Sequence, residues 1–580
     1  MARKSITQSG LASHPGDHHA HSSPGHSFFP PGGPCLPVTA QERSTDSDHR
    51  HETLRTIGRQ GARVSLAILL SRIFGFLRDM LIAQRFGTGA MADLFYVAYR
   101  IPNMLRELFA EGALSSAFIP ALTRTLDKEG RREAERLYSG VFLLLSLILV
   151  PVILGGMLFA PDILSLLAPG WSIDPERKSL GALMIRVMFP FLYFISLSAL
   201  VMGVYNAQGR FFLPAASPIA FSLAVISAVL IPDHLLPGPP ILRLALGVLV
   251  GGLSQWGIQW LLLGENRLRI SELVPVTRSW QNPRVRGVMA RILPAVGGLW
   301  VTQGNLLIAT LFGSYLATGT IAALYYAMRL VQFPLGLIGA AVATVILPLF
   351  SLHARDGNGP QDKLSETLSH GYRASLFLML PASAGLVALR EPLIRLLFQH
   401  GQFNETSAAQ TATALIGYAI GLWSFSGVRI IVRAFYATGD MKTPVIGALA
   451  GLFTNLAISA LFSARLGVFA LAFGISAGSL ANQAYLFLRL KALLGHHPWE
   501  IFGNAPKVLF HSLVLLVVVR FLWLRIDGVL PKGSSPLLLS LLGLIGGGAL
   551  LYGLLTALSG VTESRLLFER ISGRLQRKKR

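Results

Sequence analysis

From Gly61 almost to its C-terminal end, this chain is a succession of apolar runs about twenty residues long, parted by short polar turns. No other feature restricts the fold so severely. Hydrocarbon offers a backbone no hydrogen-bond partner, so a segment crossing it must satisfy its own N–H and C=O groups, as a helix does. An all-α polytopic membrane protein follows. Fourteen transmembrane helices are expected, at roughly 62–83, 91–113, 137–160, 180–206, 215–232, 243–263, 288–312, 320–350, 372–398, 408–436, 443–463, 466–493, 506–525 and 535–558.

Charge sets the orientation. Of 580 residues, 52% are hydrophobic and only 14% charged, yet the net charge is +22. That excess could suit nucleic acid, but in a membrane protein it reflects cytoplasmic loops rich in Lys and Arg, so no nucleic-acid partner is expected. Basic residues fall in every second loop, among them Arg124 to Arg136, Arg210, Arg267 to Arg286, Arg355 to Arg373, Lys442, and Arg489 to Lys507, and in the terminal RISGRLQRKKR. Intervening loops such as GSYLATGT (313–320) and HGQFNETS (400–407) lack them. Both termini are therefore expected in the cytoplasm.

Residues 1–55, rich in His, Pro, Gly and Ser, cannot bury a core and are expected to be a disordered tail. His14, His18, His19, His21 and His26 could bind a metal, but biased tails of this kind more often carry no site, and no metal or cofactor is assigned. Asp46 and Asp48 form a DxD pattern with no fold around it. The single cysteine, Cys35, leaves no intrachain disulfide and no multi-cysteine metal site. No cleavable signal peptide is expected, since the first 50 residues lack an apolar run.

The chain repeats itself. RFGTGAMADLFYVAYRIP and LFGSYLATGTIAALYYAMRLVQFP pair Arg100 with Arg329 at an offset of 229, while VYNAQGRFFLP and AFYATGDMKTP pair Ala207 with Ala437 at 230. Two six-helix lobes are expected, residues 56–265 and 266–495, related by an axis along the membrane normal. Transporters built this way hold substrate near the midplane between the halves. A further pair, within 496–560, lies outside the repeat, and 561–580 is a basic tail.

Charges inside the spans are costly and mark a path or a partner. The first two spans and the turn between them carry Arg72, Arg78, Asp79, Asp93, Arg100, Arg106, Glu107 and Glu111. Asp93, Tyr96, Arg100, Asn103, Glu107 and Glu111 recur every three to four residues, one stripe of a helix. Arg106 lies off that stripe, but Pro102 can re-aim the lower turns. In the second half Tyr325, Arg329 and Gln332 share a face. A planar, always-charged guanidinium grips phosphate oxygens in pairs. Arg72, Arg78, Arg106 and Arg329 therefore suggest an anionic, phosphorylated substrate, with ion pairing to Asp79, Asp93, Glu107 and Glu111 as the structural alternative. Arg390, Glu391 and Arg395 are expected to pair locally. Outside the tail there is no DxD, no HExxH and no large extramembrane domain, which speaks against a transferase or phosphatase.

Together, SRIFGFLRD, ADLFYVAYRIPNMLRELFAEGALSSAFIP, YYAMRLVQFPLG and FYATGDMKTPV resemble the MurJ (MviN) family, lipid II flippases of the MOP exporter superfamily. The resemblance covers residues from about 60 to 560. It implies a multi-pass protein of the bacterial cytoplasmic membrane, not an enzyme. Such a protein passes undecaprenyl-diphosphate-linked muropeptide (lipid II) from the cytoplasmic to the outer leaflet by alternating access, and its last two helices form a groove for the polyprenyl tail. It places the family's cavity arginines on Arg72, Arg78, Arg106 and Arg329 and its functional aspartate on Asp93, with Asp79, Arg100 and Glu111 as supporting charges. A related exporter of another polyprenyl-linked glycan is the alternative reading. Where the family often has acidic residues around the arginine of the eighth helix, this chain has Met328 and Gln332, which leaves Arg329 without an acidic neighbour on its own helix. Sodium sites on helices seven and eleven would have to use Asn305, Asn455 and Ser459, none of them charged, so sodium coupling is not expected.

Overall fold

The computed structural model describes residues 40–107, 114–171, 174–235, 238–268, 280–336, 361–494, 501–531 and 533–565. Among these residues every regular element is a helix. By internal packing the chain divides into Met1–Gly61 and Ala62–Arg580. The first helix, α1 (Ala40–Phe86), begins inside the stretch expected to be disordered. The reason is local: the prolines of the tail end at Pro37, and AQERSTDSDHRHETLR offers Glu, Gln, Arg and Leu with neither Pro nor Gly to stop a helix. His14, His18, His19, His21 and His26 lie outside the described residues.

The first half continues through α2 (Ala90–Arg106), α3 (Leu114–Glu129), α4 (Arg131–Leu158), α5 (Ala160–Leu167), α6 (Pro175–Met188), α7 (Phe191–Ala207), α8 (Phe212–Ala216), α9 (Pro218–Leu230) and α10 (Pro240–Leu262). The second half comprises α11 (Pro283–Gly313), α12 (320–336), α13 (Gln361–Ala388), α14 (Arg390–Phe398), α15 (Glu405–Ile420), α16 (Leu422–Ala437), α17 (Lys442–Leu466) and α18 (Val468–Leu494), and α19 (Ala505–Asp527) and α20 (Ser534–Leu558) follow. Both halves break at matching places. Phe159 parts α4 from α5, and Leu389 parts α13 from α14 with a 73° bend. Pro190 caps α7 after a break, and Gly421 parts α15 from α16 at 41°. Pro161 and Pro392, early in the second segment of each α4-type pair, lack the N–H that would continue the helix. The offset of about 230 seen in the sequence recurs in the backbone.

By length and composition, eight described helices can cross a membrane, or ten if each bent pair counts as one span. The charge-bearing α1 and the 17-residue α2 are not among them. Many outward side chains are large and apolar, Leu461, Leu539 and Leu550 among them, the last 77% exposed. Such a surface is unfavourable in water and suits lipid. One apolar core runs through both halves, and a second cluster joins α19 and α20 to α13 and α14. There Tyr552 Oη donates to the Phe377 carbonyl at 2.8 Å. The expected local pairing of Arg390, Glu391 and Arg395 is only partly realised. Glu391 pairs with Arg390 at 3.1 Å but also with Arg520 at 2.9 Å, and Arg395 reaches Asp527 at 2.9 Å. The C-terminal pair supplies ion partners that spacing within α14 cannot reveal.

Candidate functional site

The repeat places α2 against α12 so that equivalent positions meet. Tyr96 and Tyr325, 229 residues apart, stack with ring centroids 4.0 Å from each other. Beside them lies the centre of the charged constellation. Arg78 donates from Nε and Nη2 to Asp79 Oδ1, at 2.9 and 2.7 Å. Arg329 Nε stands 2.9 Å from the other oxygen, Oδ2. One carboxylate thus joins a guanidinium from each half. Its side chain is 2% exposed, against 13% for Arg78 and 33% for Arg329, so the cations, not the anion, face open space.

Aromatic rings and amides complete the cradle. The Arg329 guanidinium lies 4.7 Å from the Tyr325 ring centroid, bonds the Tyr325 hydroxyl, and donates to Gln332 Oε1 at 3.0 Å. Arg78 sits 5.5 Å from the Phe221 ring of α9. Arg329 has no acidic neighbour on its own helix, and Asp79 of α1 supplies one. A pattern of faces within one helix says nothing about which helix will stand opposite.

The other predicted residues spread from this centre. Arg106 donates to Asn103 Oδ1 at 3.1 Å and lies 3.6 Å from Glu107 Oε1. Glu107 also accepts from Asn103 and from Gln303 of α11. Arg72 is exposed and lies against Gly336 of α12, where a Cβ would collide with its guanidinium. Arg100 has no ion pair among the described residues, and its buried Nε has no hydrogen-bond partner; it lies within electrostatic reach of Tyr418, Glu107 and Arg329. Glu111 lies outside the described residues. Gln303 was not anticipated, although a polar side chain in the run 288–312 is the same kind of signal that marked the arginines.

Asp93 is tied to the backbone of the opposite half. It is buried, and its Oδ2 and Oδ1 accept from the backbone N–H groups of Gly319 and Ala322, at 2.6 and 2.8 Å. An anion at the first turn of a helix satisfies orphan N–H groups and the positive end of the dipole. Asp93 therefore caps α12 from the opposite half. Gly319, at φ 94°, brings its backbone so close that a Cβ would strike the Thr88 carbonyl. The same end of the molecule holds Thr88 Oγ1 to Ser407 Oγ at 2.8 Å and Gln402 N to the Gln84 carbonyl at 2.8 Å. This seam joins the α1–α2 and α11–α12 turns to the α14–α15 turn.

Among the described residues no group of His, Cys, Asp and Glu could hold a metal ion. Asn455 Nδ2 donates to Asn305 Oδ1 at 2.9 Å, and Ser459 Oγ to Asn455 Oδ1 at 3.2 Å, so these amides satisfy one another.

Known proteins can be set beside this geometry. Residues 82–534 match the family described as lipid II flippase MurJ. A probable lipid II flippase MurJ of Vibrio cholerae is 33% identical over 517 residues, covering 87% of this chain and 96% of that protein. The lipid II flippase MurJ of Burkholderia cenocepacia is 35% identical over 431 residues, covering 74% of this chain and 82% of the relative. A solved lipid II flippase MurJ in an inward closed conformation superposes with a TM-score of 0.69 at 25% identity, covering 85% of this chain and 98% of its own. An inward-facing multidrug resistance MATE family transporter of the MOP superfamily shares the fold alone, at 14% identity and a TM-score of 0.59, covering 75% of this chain and 98% of its own.

Proposed function

Because the chain belongs to the MurJ family of lipid II flippases, we propose that it carries the diphosphate of lipid II across the bilayer on Arg78 and Arg329, with Asp79 holding the two in register between passages. The observation that supports this is the single buried carboxylate shared by a guanidinium from each half. A diphosphate brings more negative charge and more acceptor oxygens than one carboxylate, so it can displace Asp79 from one or both arginines. Arg72, Arg100 and Arg106 add positive charge along the path.

Fourteen spans with both termini in the cytoplasm put the α1–α2 turn on the outer side. The seam of Asp93, Gly319, Thr88 and Ser407 then closes the outer end while the headgroup enters from the cytoplasm. Neutralising the arginine cluster lets the halves rock, the seam opens, and the headgroup leaves outward. The polyprenyl chain stays in lipid beside α19 and α20. No bond in the cargo is made or broken, so the protein works as a transporter of the cytoplasmic membrane and not as an enzyme.

The test is complementation of a strain depleted of its flippase. Arg78→Ala and Arg329→Ala are expected to insert normally and to lose complementation, while leaflet-resolved labelling shows lipid II held on the cytoplasmic side. Full activity of both variants would refute the assignment.

A further inference from the structure

A groove of about 730 Å3 runs along the outside of the first half, between α9 and α10. Its walls are apolar and small-residue rich, with Ala220, Leu223 and Ser227 on α9 and Leu246 and Val250 on α10. Along α10 it extends from Arg243 to Ile258, about 22 Å at 1.5 Å per residue. It thus reaches from the α9–α10 turn to beyond the middle of a hydrocarbon layer about 30 Å thick. Phe221, under Arg78, is buried against Gly251 of α10 and does not line the groove, so its ring stands between the groove and the arginine cluster.

One end of this groove is charged. Arg243 lines it and is only 6% exposed. Its Nη1 donates to the Ile231 carbonyl at 2.9 Å and its Nη2 to Asp233 Oδ1 at 2.8 Å, while its Nε is buried and has no partner. Arg85, at the end of α1, reaches both oxygens of the same carboxylate at 2.6 Å. Those hydrogen bonds hold the Asp233 carboxyl below the usual carboxylate range, so it stays ionised. Two guanidiniums on one carboxylate leave a surplus positive charge at headgroup level, above an apolar trough.

We propose that this groove is a binding site for an anionic glycerophospholipid of the surrounding bilayer, one acyl chain lying between α9 and α10 and the phosphate resting on Arg243 and Arg85. The 40% exposed Arg85 guanidinium supplies donors that such a phosphate accepts from, and the surplus charge selects an anionic headgroup over a zwitterionic one. The occupant comes from the membrane, because α9 separates the groove from the path of the cargo, so the site stands whether or not the arginine cluster carries lipid II. A lipid seated there would brace the outer end of α1 through Asp233.

Native mass spectrometry of the full chain in detergent, titrated with phosphatidylglycerol or with phosphatidylcholine of the same acyl composition, tests this. The expected result is one phosphatidylglycerol retained about tenfold more tightly than phosphatidylcholine. Arg243→Gln should equalise the two lipids. Ser227→Phe fills the trough from an exposed position, touches no ion pair, and should abolish the tight phosphatidylglycerol alone; it decides the matter if Arg243→Gln does not fold. Equal retention of both lipids by the unaltered protein, or a preference that survives Ser227→Phe, overturns the proposal.

Discussion

Asp79 is the residue on which two charges of opposite halves depend. Its oxygens are divided between Arg78 and Arg329, so replacing it with Asn keeps the shape and removes the charge that reconciles them. Breaking a buried ion pair from one side costs about 3–5 kcal/mol, and the lower end applies because Arg329 still reaches solvent. Asp79→Asn in detergent should therefore unfold at a distinctly lower temperature, by about 3 kcal/mol of stability. Asp79→Glu, which can keep both partners, should recover most of the difference. Thermal unfolding followed by tryptophan fluorescence reads both, and an unchanged Asp79→Asn would mean that the two arginines need no mediator. The existence of this cluster was legible from charges placed in apolar runs. Its wiring was not, because Asp79 and Arg329 are 250 positions apart and each helix face was inferred separately.

At the scale of elements, α12 owes its first turn to a side chain from α2. The family resemblance made Asp93 a functional aspartate, and a carboxylate within an apolar run marks a path or a partner. The structure directs both of its oxygens to backbone N–H groups instead. Asp93→Asn offers one acceptor where two N–H groups need one each, and an unsatisfied buried donor costs about 1–3 kcal/mol. The seam at that end should then open more often. With Thr88→Cys as reporter, modification by a membrane-impermeant maleimide should speed up about tenfold in the Asp93→Asn background, a change of about 1.4 kcal/mol. No acceleration would show that the cap is not what keeps the seam shut. The same scale explains the boundaries: the span drawn as continuous over 372–398 is broken at Leu389, where hydropathy is high but Pro392 removes a backbone donor.

For the whole molecule, the proposed alternating access requires that the seam of Thr88 and Ser407 part in every cycle. The hydroxyls of Thr88 and Ser407, 2.8 Å apart, mark positions where two cysteines would sit within bonding reach. Thr88→Cys with Ser407→Cys, oxidised in the membrane, should stop complementation, and reduction should restore it; either single variant should stay active. Transport by the cross-linked protein would mean that this seam need not move. The duplication was legible at full scale from two short matches, since a repeat needs no knowledge of contacts.

That repeat carries a consequence for ancestry. Asp93 accepts from Ala322, the residue that stands 229 positions later and occupies its own place in the other copy. If two identical half-chains had paired in this way, each would have brought its own aspartate, setting two like charges against each other in a dry junction. The fastening seen here is one-sided, with one copy keeping the acid and the other an alanine.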